Sequence, residues 1–193
     1  RAGVLFIADE IQTGIARTGK MLACDHEQVR PDMLILGKAL SGGVYPVSAV
    51  LCDDEIMLCI QPGQHGSTYG GNPIAAAVGM EALQVVIDER LAENAERLGY
   101  KFRQALTDLA TKNTLIKTVR GKGLLNAIVI NDTPDSKTAW NVCLRMMEHG
   151  LLAKPTHGNI IRFAPPLVIT DAELEICIGI IEQSISEEMS AMS

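Results

Sequence analysis

Two short, unbroken apolar runs, residues 4–8 and 33–36, each end abruptly in polar residues, and nothing else in the chain constrains its fold as strongly. A run of four or five apolar residues without polar alternation is the pattern of a strand covered on both faces, as in a parallel sheet flanked by helices. Asp9-Glu10 follows the first run and Gly37-Lys38 the second. In open sheets of this kind ligands collect beyond the carboxyl ends of the strands, so these polar residues are the first candidates for chemistry. Lys38 lies in Leu34-Ile35-Leu36-Gly37-Lys38-Ala39-Leu40-Ser41-Gly42-Gly43, where a strand runs out into a flexible turn. Desolvation against an apolar wall favours the neutral amine, the form that condenses with a carbonyl. The competing reading is a lysine whose stem follows the strand end while its ammonium reaches water.

A third strand is predicted over residues 47–52, running into Asp53-Asp54. Residues 61–73 are too rich in Gly and Pro for regular structure, but they end like a helix start, with Asn72 as cap and Pro73 in the first turn. Helices are predicted over 74–88 and 91–110. In the second, Leu91, Asn94, Ala95, Leu98, Phe102, Ala105, Leu106 and Leu109 recur at helical spacing, a stripe that means packing rather than function. Strands follow at 114–119 and 124–130, then a helix over 136–148, strands around 151–154 and 160–163, and a closing helix from Asp171. This organisation divides the chain into residues 1–112 and a smaller α/β domain, 113–193.

Composition closes off several functions. Aromatic residues are 4% of the chain, so the core must be aliphatic and no surface of interleaved aromatic and basic residues is available to stack single-stranded nucleic acid. A net charge of -6 disfavours polyanion partners as well. Five cysteines, Cys24, Cys52, Cys59, Cys143 and Cys177, are an odd number without C-x-x-C spacing, which suggests neither a disulfide framework nor a zinc site and fits a reducing, intracellular compartment. The four histidines show no paired spacing, and no apolar run approaches membrane-spanning length. The chain opens Arg1-Ala2-Gly3 directly into an apolar run, and an interior strand seldom begins a protein, so the sequence is expected to be the C-terminal part of a longer polypeptide.

Gly14-Ile15-Ala16-Arg17-Thr18-Gly19-Lys20 satisfies G-x-x-x-x-G-K after a strand, which raises a phosphate-binding loop of a nucleotide hydrolase. The next residue of that motif must be Ser or Thr to hold magnesium, and Met21 offers only a thioether, a poor ligand for a hard cation. A nucleotide-binding loop and a cofactor-free dimerisation module are the two non-catalytic readings of the chain.

Three segments carry a family resemblance: Ile7-Ala8-Asp9-Glu10-Ile11-Gln12-Thr13-Gly14, Gly37-Lys38-Ala39-Leu40-Ser41-Gly42-Gly43, and Gly66-Ser67-Thr68-Tyr69-Gly70-Gly71-Asn72-Pro73. In order and spacing they resemble the signature segments of the class III pyridoxal-phosphate aminotransferases. The stretch from Gly150 through Arg162 to Leu167 is most similar to the members of that class that act on ornithine. The resemblance implies a fold-type-I α/β architecture, with residues 1–112 the C-terminal part of the large, mostly parallel cofactor-binding domain and 113–193 the small C-terminal domain.

It also implies roles. Lys38 would tether pyridoxal 5'-phosphate and act as the base, while Asp9 would face the pyridine nitrogen, where opposite charge lets a buried carboxylate stay ionised. Gln12 would bond the phenolic oxygen. Thr68, with Ser67 as a weaker candidate, would bind phosphate across a homodimer interface, reaching the neighbouring subunit's cofactor. Arg162 would grip a substrate carboxylate, a charge-assisted contact that contributes roughly 1.5–3 kcal/mol. The implied reaction moves the δ-amino group of ornithine to 2-oxoglutarate, with acetylornithine or 4-aminobutyrate as the alternative donors. The family's aromatic stacking residue and further phosphate-binding amides would lie before Arg1, so the 193 residues alone are expected to be inactive. The resemblance does not separate mitochondrial matrix from cytoplasm.

Overall fold

The computed structural model describes residues 3–192. They form two compact units, Arg1–Ala92 and Glu93–Ser193. The division falls some twenty residues before the expected boundary at 112. The reason is the apolar stripe of the helix predicted over 91–110, which is buried in the core of the second unit rather than that of the first.

In the first unit the apolar runs make three short strands, β1 (Ile7–Asp9), β2 (Met33–Leu36) and β3 (Ala49–Cys52), in the order β1-β2-β3. β1 and β2 are parallel, with Asp9 opposite Ile35, whereas β3 runs antiparallel to β2, with Leu36 opposite Ala49. The connections account for this. More than twenty residues join β1 to β2, enough for a crossover, while β2 reaches β3 through a short link holding only one 3-10 turn, Lys38–Ser41.

The expectation of strands covered on both faces is not met. In β1 only Ala8 is buried, and Val4, Leu5 and Phe6 lie before the strand and are exposed. No described residue packs over them, so they stay open to solvent. A four-residue helix, α1 (Asp54–Met57), follows β3. Helix α2 (Pro73–Asp88) then begins as predicted, with the Asn72 side chain accepting from the backbone N–H of Ala75 at 2.8 Å. It packs on the 3-10 turn that carries Lys38.

The second unit is a four-stranded antiparallel sheet in the order β4-β5-β7-β6, built from β4 (Ile116–Lys122), β5 (Leu125–Ile130), β6 (Lys154–Thr156) and β7 (Ile160–Phe163). Strand β6 starts later than the run around 151–154 suggested, because its ladder partner β7 pairs only with Lys154 to Thr156. Helices α3 (Leu91–Lys112), α4 (Thr138–Glu148) and α5 (Asp171–Met192) supply the rest of the core. Leu98, Phe102 and Leu106 of α3 are fully buried, and the rings of Phe102 and Phe163 meet edge to face at 5.5 Å. Full burial of each such side chain is worth about 1.5–3 kcal/mol.

Gly99 makes the tight approach possible. A Cβ there would sit 1.9 Å from the carbonyl oxygen of Gly123 in the β4–β5 turn. Between α4 and α5, buried Glu188 accepts from Arg145 Nε at 2.8 Å and Asn141 Nδ2 at 2.9 Å, so its charge is compensated. No helix among the described residues is long and apolar enough to cross a membrane.

Candidate active site

The parallel pairing of β1 and β2 brings two of the predicted residues to one edge of the sheet. Asp9 is the last residue of β1, and Lys38 stands two residues beyond the end of β2, at the same carboxyl edge. Both side chains are exposed, which corrects the expectations of a buried carboxylate and of a lysine walled in by apolar groups. The correction has the same origin as the open faces of β1: no described residue covers this edge.

The backbone around Lys38 is unusual. Its φ of 44° lies in the left-handed region, where a side chain is strained by about 1–3 kcal/mol, and the turn is closed by hydrogen bonds from Leu40 N to Gly37 O (3.1 Å) and Gly42 N to Ala39 O (2.9 Å). Buried Ser41 fastens the following loop, donating to Tyr45 O and accepting from Tyr45 N. The backbone of the lysine is thus held in a left-handed, strained conformation, while its amine makes no hydrogen bond or ion pair with a described residue.

Gln12 is exposed in the turn that follows β1. Ser67 and Thr68 are exposed in the Gly-rich loop before α2, in the same unit. Arg162 is exposed on β7, in the second unit, between its ladder partners Ala127 and Lys154. Among the described residues, no hydrogen bond or ion pair engages the side chains of Lys38, Gln12, Thr68 or Arg162. The Asp9 carboxylate accepts, among the described residues, only from Ile11 N, at 3.2 Å.

This donor set fits a phosphorylated pyridine aldehyde: an amine for the aldehyde, a carboxylate for a ring N–H, an amide for a phenolic oxygen and hydroxyls for phosphate. It does not fit a nucleotide-binding loop. Residues 14–20 form irregular turns with Ile15 and Ala16 at φ 53° and 66°, and the next element is a four-residue 3-10 turn, Ala23–His26, in place of the α-helix that such a loop opens.

One residue was missed by the sequence reading. Glu10, next to Asp9, is buried and accepts from Thr13 Oγ1 and from Cys24 N at 2.8 Å. Burial opposes its charge, but the bonds from Thr13 and from the backbone of Cys24 and Ala23 outweigh that and hold its carboxyl below the ordinary range. The signal was available in the alternation of a strand: Ala8 in, Asp9 out, Glu10 in.

The sequence pattern described as Aminotransferase class-III matches residues 1–185. The chain belongs to that family. Among class III aminotransferases it is 63% identical to mitochondrial ornithine aminotransferase of Drosophila melanogaster over 182 residues, covering 94% of this chain and 41% of the relative. It is 61% identical to the Rattus norvegicus enzyme over 185 residues, covering 96% and 42%. The chain therefore spans about two-fifths of the length of these curated relatives.

Of solved structures, acetylornithine aminotransferase from Elizabethkingia anophelis superimposes with a TM-score of 0.93 at 69% identity, over 95% of this chain and 46% of that one. Ornithine aminotransferase from Toxoplasma gondii, seen with partial occupancy of PLP at its active site, gives 0.93 at 49%, over 97% and 44%. The fold is that of the fold-type-I enzymes, and the cofactor of the family is pyridoxal 5'-phosphate.

Proposed function

We propose that this protein transfers the δ-amino group of ornithine to 2-oxoglutarate, giving glutamate semialdehyde and glutamate. The observation that carries the proposal is the placement of Asp9 and Lys38 at the carboxyl ends of adjacent parallel strands, with their polar atoms almost uncommitted to the protein. Bound pyridoxal phosphate supplies an aldehyde for the substrate amine and an electron-withdrawing ring. Lys38 would hold the cofactor through its aldehyde, and its Nζ would take a proton from the substrate carbon that bears the amine and return it on the cofactor side.

Asp9 holds a proton on the ring nitrogen, since a carboxylate beside it stabilises the charged form. Gln12 donates to the phenolic oxygen. Thr68, with Ser67 as the weaker partner, binds phosphate across a homodimer interface, in the neighbouring subunit's site; exposure of this loop supports that role. Arg162 grips a substrate carboxylate with its planar fork, a geometry lysine does not offer. The open edge at Asp9 and Lys38, and the fraction of the relatives' length the chain spans, support a further point: the 193 residues turn over substrate only within a larger holoenzyme that covers this edge, and that holoenzyme is the species tested below.

The identity of 61–63% to ornithine aminotransferases supports ornithine as donor. A second reading, acetylornithine, is favoured by the 69% identity to the Elizabethkingia enzyme. Holoenzyme supplied with 2-oxoglutarate and, in turn, ornithine, N-acetylornithine and 4-aminobutyrate should show its highest kcat/KM for ornithine. A higher value for N-acetylornithine would transfer the function to the second reading, and absence of glutamate with every donor would refute both.

A further inference from the structure

Glu10 has no part in the chemistry above, yet it is the most connected group at the carboxyl end of β1. Its backbone N–H donates to Ile35 O of β2 at 3.0 Å, which fixes the end of the strand, and its carbonyl accepts from Gly14 N at 2.9 Å, which folds the chain back. One carboxylate oxygen accepts from Thr13 Oγ1 and the other from Cys24 N. The segment so closed contains Gln12 and the adjoining left-handed residues Ile15 and Ala16, both buried and both costly for residues with a Cβ. Gly14 must be glycine for the closure: a Cβ there would lie 2.8 Å from Glu10 O. Backbone of this kind persists only where its surroundings over-determine it, and the carboxylate of Glu10 supplies the constraint from inside.

We propose that Glu10 is a positioning residue for amino transfer: by clamping residues 13–24 against the end of β1 it aims Asp9 and Gln12 toward the cofactor, while touching neither cofactor nor substrate. The inference rests on the function proposed above. Two features favour a carboxylate over any neutral isostere. Both oxygens accept, whereas glutamine could accept from Cys24 N only by turning its NH₂ to Thr13 Oγ1, which reverses that bond and removes the negative charge that strengthens both contacts. Successive strand residues also point to opposite faces, so fixing Glu10 inward fixes Asp9 outward. A slip of the clamp would misdirect the acid at position 9 without removing it.

The test compares wild-type holoenzyme with Glu10→Gln, Glu10→Asp and Thr13→Val by three readouts. In cofactor-free protein, trypsin should cut after exposed Lys20 several-fold faster in Glu10→Gln. With pyridoxal phosphate added, the absorption spectrum of the bound cofactor should shift. The half-reaction with the amino donor should slow on the order of 10- to 100-fold, the usual penalty for misplacement by about an ångström, with KM changed far less.

Glu10→Asp should recover part of the rate, and Thr13→Val, which removes one contact and no charge, should move all three readouts the same way by a smaller factor. Faster cleavage with an unaltered spectrum and rate would make Glu10 a merely structural residue and overturn the proposal, as would no change in any readout. If Glu10→Gln does not fold, Thr13→Val decides, and wild-type behaviour there overturns it. Wild-type protein that takes up no pyridoxal phosphate would refute the proposed function itself, and the clamp with it.

Discussion

The two units differ in what they do with their apolar and polar groups. Glu93–Ser193 has a continuous core, with Leu98, Ile128 and Ile161 at 0% exposure and the charge of buried Glu188 matched, although Leu152 (84%), Ile176 (63%) and Trp140 (53%) stay outside it. In Arg1–Ala92 the same residue types stand open, with Val4 at 81%, Leu5 at 53% and Val50 at 48% exposure, and the polar side chains at the sheet edge have few or no protein partners. The second unit is a finished core. The first is a scaffold that presents groups rather than burying them. The residues assigned to cofactor chemistry, Lys38, Asp9, Gln12 and Thr68, all lie in the open unit, and only Arg162 lies in the closed one. Groups that serve a ligand cannot also hold the protein together, which accords with the roles proposed for the uncommitted polar edge; the exposed apolar side chains have another origin, since no described residue covers them.

The largest expected effect removes chemistry while sparing the fold. In holoenzyme, Lys38→Ala should lower the transamination rate by on the order of a thousandfold or more, while thermal unfolding of the apoprotein changes little, because the side chain is exposed and unpartnered. A clear loss of thermal stability would break the division of labour.

Next, Phe102→Ala should destabilise the second unit by about 3–5 kcal/mol, measured by denaturant unfolding, since it leaves a cavity against Phe163. Val50→Ala in the first unit should cost less than about 0.5 kcal/mol in the 193-residue chain. Equal costs would mean that the two units are equally closed.

Arg162→Ala sharpens the comparison at its exception. It should raise KM for at least one carboxylate substrate roughly tenfold to a hundredfold, equivalent to a charge-assisted bond of about 1.5–3 kcal/mol, without loss of stability. Unchanged kinetics with both substrates would remove it from the site.

Much of this was legible in the sequence, for identifiable reasons. Helices α2 and α5 begin where the Asn72-Pro73 cap and Asp171 indicate, because capping is local chemistry. The positions of Asp9 and Lys38 follow from a break between apolar runs and polar residues, also local. The burial of those runs did not follow, because an unbroken apolar run reports what a strand requires for covering and not which residues supply it. The boundary near 112 was misplaced for a related reason: the stripe of α3 reveals that it packs, but not on which side of the chain its partners lie. Glu10 was readable from alternation alone, but Asp9 beside it drew the chemical reading first.

The smallest expected effect concerns pH. The folded-state carboxyl of Glu10 lies below its ordinary value of 4.5, so its contribution to stability is present above that value and is lost as the pH falls through the folded one. Glu10→Gln should therefore flatten the decline in stability below about pH 4.5, measured by denaturant midpoints at successive pH values. A parallel decline in both proteins would show that the hydrogen bonds of Glu10 contribute no net stability.

All of the proposed chemistry turns on the amine beyond the end of β2 carrying the cofactor. Borohydride reduction of the holoenzyme followed by peptide mapping tests this most directly. A single stable adduct on Lys38 is expected; an adduct on Lys20 or Lys154 would contradict the assignment.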